Sequence, residues 1–201
     1  MTKILIKNGT LVNASPRFLK KGDILIENGK IKEISGKIKT FGVTVLNASG
    51  RLVIPGIIDV HVHTRQPGDE ESETLESAWR SALSGGVTSF LAMPNTNPPV
   101  DSPALLRKLK SKKDFLNANV FFAAATTAKR RGKKISGMKS LKKAGAKAFT
   151  DDGSPVENPA VFEKALKTAS SLGTPVLEHC EEKNLSQNDA VVWCCTKFFN
   201  S

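Results

Sequence analysis

The first fifty or so residues alternate short apolar segments with turn signals, a pattern typical of β-strands. Asn-Gly and Ser-Gly pairs, among them Asn8-Gly9 and Ser35-Gly36, separate these segments and predict turns. The strand candidates are residues 4–6, 10–12, 23–26, 31–34 and 43–46. A run of short strands of this kind predicts a small sheet or part of a β-sandwich, ending near Pro55-Gly56.

Beyond Pro55-Gly56 the pattern changes to apolar runs of about five to seven residues that alternate with helix-length amphipathic stretches. The apolar runs are residues 57–61, 87–93, 120–125, 146–150 and 175–179. The amphipathic stretches are residues 71–83, 102–116, 135–144 and 159–172. Four successive strand–helix–strand units predict an α/β fold with a parallel sheet and right-handed crossovers. Periodicity alone leaves open whether this sheet is the first part of a barrel or a doubly wound sheet.

Composition places the chain among ordinary globular proteins, since 39% of its 201 residues are hydrophobic and 24% are charged. A complete (β/α)8 barrel takes about 250 residues, so that architecture would be cut short here. Three cysteines, two of them adjacent, exclude a disulfide framework and indicate a reducing compartment. We find no signal peptide and no apolar run near the ~20 residues that span a bilayer. These features predict a cytoplasmic protein with no membrane partner.

The net charge of +11 is concentrated in residues 101–150, which carry 14 of the 30 basic side chains and only two acidic ones. Such a block is one feature of nucleic-acid-binding surfaces. However, no aromatic residue lies among the charges of the LRKLKSKK and AKRRGKKISGMKSLKKAG segments. We therefore favour solvated outer faces of helices and predict no nucleic-acid partner.

The candidate chemistry lies at the carboxyl ends of the predicted parallel strands, where ligand sites are built in α/β folds. His61 and His63 end the first strand, and residues two apart on a strand point to one face. His179, the only other histidine, ends the fifth strand, and Asp151-Asp152 follows the fourth. Imidazole and carboxylate groups suit Zn²⁺ or a similar ion, so the pattern predicts a metal site.

Two further polar residues follow the first two parallel strands. Arg65 lies two residues after His63, and Asn95 lies in a proline-rich turn after the second strand. A guanidinium binds a carboxylate in a bidentate manner, and an amide adds a hydrogen-bond donor. Together they predict a small anionic substrate, although either residue alone is ordinary on a protein surface.

These motifs resemble those of a known family. The segments PGIIDVHVHTRQPG, MPNTNPPVD, KAGAKAFTDDGSPV and PVLEHCE resemble the dihydroorotases, which are cyclic amidohydrolases of pyrimidine synthesis in the amidohydrolase superfamily. The resemblance covers residues 1 to about 183. It implies a metal-dependent (β/α)8 TIM barrel, of which the first five strands are present, preceded by a small β-sandwich domain. It also implies hydrolysis of a ring C–N amide bond, converting dihydroorotate to N-carbamoyl-L-aspartate.

The resemblance assigns roles to individual residues. The metal ligands, for one or two Zn²⁺ ions, would be His61, His63, Asp152 and His179, with Asp151 as the alternative acid in the TDDG turn. Arg65 and Asn95 would contact the carboxylate of dihydroorotate or N-carbamoylaspartate. The resemblance also allows a homo-oligomer or an assembly with another enzyme of pyrimidine synthesis.

The fourth strand distinguishes dihydroorotases from related enzymes. Hydantoinases, dihydropyrimidinases and allantoinases commonly have a carboxylated lysine there as a metal bridge. In AFTDDG the carboxylate comes from aspartate, and Lys147 lies at the start of the strand. The resemblance thus favours the dihydroorotase type, with a hydantoinase or allantoinase type as the alternative.

The family pattern stops after Glu182, and we treat residues 184–201 as a divergent tail after a small domain at 1–54 and a half-barrel at 55–183. The family's sixth-strand histidine and its late-strand aspartate, the general base, have no counterpart here. We therefore assign no catalytic base and expect negligible turnover from these residues alone. The remaining alternative is a truncated, inactive relative that acts only as a binding or assembly partner.

Overall fold

The computed structural model describes residues 2–115 and 119–179 and divides the chain into two compact units between Gly56 and Ile57. The tail at 184–201 and the three cysteines lie outside the described residues. The domain limits given above therefore stay a prediction, and each unit is described by itself.

The first unit is built on one β-sheet with the order β3-β2-β1-β4, and β5 pairs with β1. Its strands are β1 (Lys3–Ala14), β2 (Arg17–Glu27), β3 (Lys30–Ser35), β4 (Thr44–Asn47) and β5 (Leu52–Val53). The first three strands are antiparallel neighbours, whereas β4 and β5 run parallel to β1. The described part of the unit holds this single sheet, so the second layer of a sandwich stays a prediction.

The turn predicted at Asn8-Gly9 is wrong, because β1 continues through it as a bulge. The register with β2 shifts between Ile6 and Gly9, and Asn8 adopts a left-handed conformation with φ of 60°. The backbone N–H of Asn8 donates to the carboxylate of Asp23 (2.9 Å), which also accepts from the N–H of Ile38 (2.9 Å). Burial raises the pKa of Asp23, but the two hydrogen bonds together with the charges of Lys7 and Lys37 lower it overall. A buried carboxylate thus holds the bulge.

The second unit alternates strands and helices, as the pattern predicted. Its elements are β6 (Ile57–Val62), α1 (Leu75–Ser84), β7 (Val87–Ala92), α2 (Pro103–Phe115), β8 (Val120–Ala124), a 3₁₀ turn (Ala128–Arg130), α3 (Met138–Ala144), β9 (Ala148–Phe149) and α4 (Pro159–Ser171). The sheet is parallel with the order β6-β7-β8-β9. The strands lie side by side in the same order as in the sequence. This order is typical of a barrel, whereas the strand order of a doubly wound sheet reverses.

The fifth predicted strand, residues 175–179, joins this sheet through a single parallel bridge between Phe149 and Val176. The N–H of Phe149 donates to the carbonyl of Pro175 (3.0 Å), and the N–H of Leu177 donates to the carbonyl of Phe149 (2.8 Å). The segment therefore lies beside β9, in the position that the pattern predicted, and within the described part of the chain two backbone hydrogen bonds attach it to that strand.

Local capping chemistry decides where the helices begin. Thr74 caps α1: its side chain accepts from the N–H of Ser77, whose hydroxyl in turn accepts from the N–H of Thr74. This capping box starts the helix four residues later than the predicted stretch 71–83. Asn158 caps α4 with its side-chain oxygen, which accepts from the N–H groups of Ala160 and Val161, and Pro159 follows at the first helical position.

The core of the second unit lies between the sheet and its helices. Its largest members include Phe90, Leu106, Leu141 and Phe149, which are all fully buried. The apolar side chains of β6 are different, since Ile58 and Val60 remain 67% and 64% exposed. No described helix is both long enough and apolar enough to cross a membrane.

Candidate metal centre

Two histidines project from the end of β6 toward the same side. His61 lies in the strand and His63 directly follows it, and their ring centroids are 5.1 Å apart. The strand geometry explains this arrangement, because alternate residues of a strand share a face. Their interplanar angle of 67° leaves the two rings edge to face.

Asp152 lies at the centre of the cluster, in the turn that follows β9. Its Oδ1 is 3.4 Å from Nε2 of His61 and 3.6 Å from Nδ1 of His179, and its Oδ2 is 3.6 Å from Nε2 of His63. The carboxylate is buried, with 7% of the side chain exposed. The structure thus brings together the four residues for which we predict metal binding, although their role as ligands stays a prediction.

The spacing of these atoms fits a metal ion better than direct hydrogen bonding. Ligands about 2.0–2.1 Å from one tetrahedral Zn²⁺ lie about 3.4 Å apart, whereas N–H···O hydrogen bonds span about 2.7–3.2 Å. The three histidine–carboxylate distances, 3.4, 3.6 and 3.6 Å, lie near the first value. One donor atom each from His61, His63 and Asp152 also falls within 4.8 Å of the other two. The group of His61, His63 and Asp152 therefore suits a divalent ion. His179 lies 3.6 Å from Oδ1 of Asp152 but is not part of that group.

Asn95 connects two members of the cluster. Its Oδ1 lies 2.9 Å from Nδ1 of His63, and its Nδ2 donates to Oδ2 of Asp152 (3.2 Å). Because an amide oxygen can only accept, this pairing places the proton of His63 on Nδ1 and leaves Nε2, which faces Asp152, as a lone-pair donor. Asn95 was predicted to contact substrate, and that role stays a prediction; its contacts with two metal-ligand candidates were not expected from the sequence.

Arg65 lies in the loop after β6, is exposed, and adopts a left-handed conformation with φ of 54°. The same loop is held against the loop after β7: the N–H of Asn97 donates to the carbonyl of Pro67 (2.9 Å). Gly68 makes this approach possible, because a Cβ at its position would lie 2.1 Å from the carbonyl oxygen of Asn97. The loop that carries Arg65 therefore has a defined course while its side chain stays accessible.

Asp151 and Asp152 are adjacent but have different surroundings. The carboxylate of Asp151 is buried and accepts from both the N–H (3.0 Å) and the hydroxyl of Thr127. Burial raises the pKa of Asp151, and the hydrogen bonds from Thr127 and the nearby Arg130 oppose that rise. Because Asp151 is directed at Thr127, the geometry favours Asp152 as the ligand of the pair.

Sequence reasoning missed two charged residues beside the site. Arg130 is half-buried and binds the carbonyl of Asp152, and burial lowers its pKa while Asp151 and Asp152 act in the opposite direction. Glu178 accepts from the N–H of Val156 (3.2 Å), and burial raises its pKa to about 7. Arg130 was hidden in a basic run that we assigned to solvent, and Glu178 had only its place next to His179 as a signal.

Comparison with solved structures defines the fold of the chain. It is similar to an L-hydantoinase (dihydropyrimidinase) from Arthrobacter aurescens with a TM-score of 0.75 and 23% identity, covering 93% of this chain and 42% of that one. It is also similar to a dihydroorotase with a TM-score of 0.64 and 14% identity, covering 90% of this chain and 52% of that one. The second unit therefore has the fold of part of a (β/α)8 barrel, as predicted, and the first is a separate β-sheet region.

Sequence comparison then identifies the family. The model of the dihydro-orotase-like family matches residues 50–199, and the chain belongs to this family. It is 43% identical over 187 residues to the dihydroorotase of Aquifex aeolicus and 44% identical over 187 residues to that of Sulfurihydrogenibium sp.. Each alignment covers 92% of this chain but 44% of the relative. The chain thus spans less than half the length of the curated relatives that it matches.

Proposed function

We propose that the chain carries the metal centre and part of the substrate site of a dihydroorotase, which hydrolyses the ring amide of dihydroorotate to N-carbamoyl-L-aspartate. The observation that supports this most directly is the Asp152 carboxylate surrounded by three imidazoles at the carboxyl ends of parallel strands. An aspartate in that position, where related enzymes have a carboxylated lysine, favours the dihydroorotase type. The curated relatives at 43–44% identity are named dihydroorotase as well.

His61, His63, His179 and Asp152 would hold the ion, and we propose Zn²⁺ because three imidazoles and one carboxylate match its preferred donors. Bound there, the ion would supply Lewis acidity, which polarises a carbonyl and lowers the pKa of water. The number of ions stays open between one and two. A cytoplasmic location and an oligomer or an assembly with another pyrimidine-synthesis enzyme stay predictions.

The protein's own groups prepare this site before any ion binds. Asn95 fixes the tautomer of His63 so that Nε2 faces the centre, and the same amide bonds one oxygen of Asp152. Ligands that are already oriented lose less entropy when they bind a metal, so affinity rises. In a substrate complex we propose that Asn95 also donates to the substrate carboxylate.

We propose that Arg65 recognises that carboxylate. The guanidinium is exposed and makes no hydrogen bond or ion pair with another residue in the described ranges, so its donors are available. The loop that carries it is anchored by the hydrogen bond from the N–H of Asn97 to the carbonyl of Pro67, and Gly68 allows this close approach. A charge-assisted hydrogen bond contributes about 1.5–3 kcal/mol, which corresponds to roughly a 10- to 150-fold change in affinity.

A matched pair of ligands tests this proposal. Dihydroorotate and dihydrouracil share the ring, but only dihydroorotate has the carboxylate. In calorimetry we expect the Zn²⁺-loaded chain to bind dihydroorotate more tightly than dihydrouracil. Arg65→Ala should weaken the binding of dihydroorotate by about 10- to 150-fold and leave the binding of dihydrouracil unchanged. Arg51→Ala, an exposed arginine of the first unit, is the control. Equal binding of both rings, or equal effects of Arg65→Ala on both, would contradict the proposed substrate. Hydrolysis of each ring is followed in parallel, with His61→Ala as the metal-site control.

A further inference from the structure

The loop after β8 contains two consecutive residues in a conformation that side chains rarely adopt. Lys129 has φ of 57° and Arg130 has φ of 54°, both in the left-handed region. Neither is a glycine, and this conformation is strained for residues with a side chain because Cβ comes too close to the following carbonyl oxygen. Backbone strain of this kind persists where the surrounding contacts determine the conformation, so the contacts of this loop are informative.

Arg130 uses this conformation to reach the turn that carries Asp152. Its Nη2 donates to the backbone carbonyl of Asp152 and to Oγ of Ser154 (3.3 Å). The guanidinium therefore binds the backbone of the turn, while the carboxylate of Asp152 faces the imidazoles and Asn95. One arginine thus connects two loops that are 22 residues apart in sequence and holds the peptide unit whose side chain lies at the centre of the site.

The charge of Arg130 is also relevant, because the turn contains two adjacent carboxylates in a buried position. Asp151 and Asp152 repel each other, and both interact favourably with the guanidinium. Thr127 supplies an independent attachment through its hydrogen bonds to Asp151. Among the described residues, Asn95 binds the carboxylate of Asp152, Thr127 binds that of Asp151, and Arg130 binds the backbone carbonyl of Asp152. Arg130 is therefore the group of these three that holds the peptide unit of Asp152 rather than a carboxylate.

We propose that Arg130 is a positioning residue for the metal ligand Asp152: it binds the peptide carbonyl of Asp152 and keeps the carboxylate directed at the three histidines. This inference rests on the proposed function in so far as Asp152 is a metal ligand. Residues that orient metal ligands typically contribute about 10- to 100-fold to metal affinity.

Arg130→Gly is the informative variant, because glycine accepts a positive φ without strain and removes only the side chain. Arg130→Lys keeps the charge but loses the planar fork. Arg131→Ala is the matched control, since Arg131 is adjacent, exposed and has an ordinary φ of −101°. Co²⁺ titration, followed by the visible absorption of the bound ion, measures metal affinity without requiring activity.

We expect Arg130→Gly to weaken Co²⁺ binding by about 10- to 100-fold. The Co²⁺ affinity of Arg130→Lys should lie between those of Arg130→Gly and the unsubstituted chain. The Co²⁺ affinity of Arg131→Ala should stay within about twofold of that of the unsubstituted chain. Affinity of Arg130→Gly within threefold of Arg131→Ala would overturn the proposal. If Arg130→Gly does not fold, the Co²⁺ affinity of Arg130→Lys is compared with that of Arg131→Ala instead. Weaker binding by Arg130→Lys would support the proposal, and equal binding would overturn it.

A second measurement separates this inference from the proposed function. Amide hydrogen exchange of residues 150–154 in the metal-free chain reports how firmly the turn is held, whether or not the site binds an ion. We expect exchange to be about tenfold faster in Arg130→Gly than in Arg131→Ala. A chain that binds no Co²⁺ but shows this acceleration would contradict the proposed function and support the role of Arg130 in holding the turn. Unchanged exchange would refute that role, whatever the metal result.

Discussion

Asp152→Asn tests the centre of the proposed site with a minimal change, because asparagine has the shape of aspartate but no charge. In the structure this carboxylate faces three imidazole nitrogens at 3.4–3.6 Å. A unit negative charge about 2 Å from a divalent ion contributes about 4 kcal/mol even at the dielectric constant of water. We therefore expect the variant to bind Zn²⁺ or Co²⁺ at least about 1,000-fold more weakly.

Equilibrium dialysis followed by metal analysis measures this loss directly. Asp69→Asn is the control, since Asp69 is an exposed aspartate in the loop after β6 that bonds Ser72 and not the cluster. Circular dichroism establishes that both variants fold. A loss of less than about tenfold in Asp152→Asn would refute the reasoning, because the carboxylate would then not contact the ion.

Two further predictions concern stability. Gly68→Ala should lower the free energy of unfolding of the second unit by about 2–5 kcal/mol in denaturant titration, because the new Cβ meets the carbonyl of Asn97 at a positive φ of 102°. Gly86→Ala is the control: its φ of 82° is also positive but the space around it is open, so it should cost only about 1 kcal/mol. Equal losses in the two variants would contradict the steric argument. Glu178 has a pKa of about 7 in the folded chain against an ordinary value of 4.5, so folding disfavours its ionised form, and stability should fall as pH rises from about 4.5 to 7. The fall in stability is measured as a fall in melting temperature between pH 4.5 and 8, and Glu178→Gln should remove it. A pH profile of the variant that matches that of the unsubstituted chain would contradict this role of Glu178.

The order of strands and helices and the position of the site were accessible from the sequence because both follow from local periodicity, whereas the choice of a barrel over a doubly wound sheet came from the family resemblance. Alternation of apolar runs and amphipathic stretches predicted the order of strands and helices, and strand ends of a parallel sheet meet at one edge. The three histidines and the Asp151-Asp152 pair could therefore be grouped without any knowledge of their distances. Capping and bulges were less accessible: the Asn8-Gly9 pair is typical of a turn, yet the carboxylate of Asp23, fifteen residues away, holds it as a bulge.

The supporting contacts of the site could not be predicted, because each joins residues far apart in sequence through one side-chain conformation. Asn95 and Asp152 are 57 residues apart, and Arg130 and Asp152 are 22 apart. Nothing in the KRRGKK run distinguishes Arg130 from its basic neighbours. The distinction arises only when the backbone at Arg130 adopts a positive φ and directs one guanidinium inward.

The exposed strand β6 has a practical consequence for every measurement proposed above. It is the terminal strand of the described sheet, and Ile57, Ile58 and Val60 are each at least 46% exposed. An apolar strand with one free edge is a template for intermolecular pairing, and self-association of that kind grows with protein concentration. Titrations are therefore best made at low micromolar concentration and repeated at several dilutions, with light scattering as a check, so that loss of protein to aggregates is not mistaken for loss of binding.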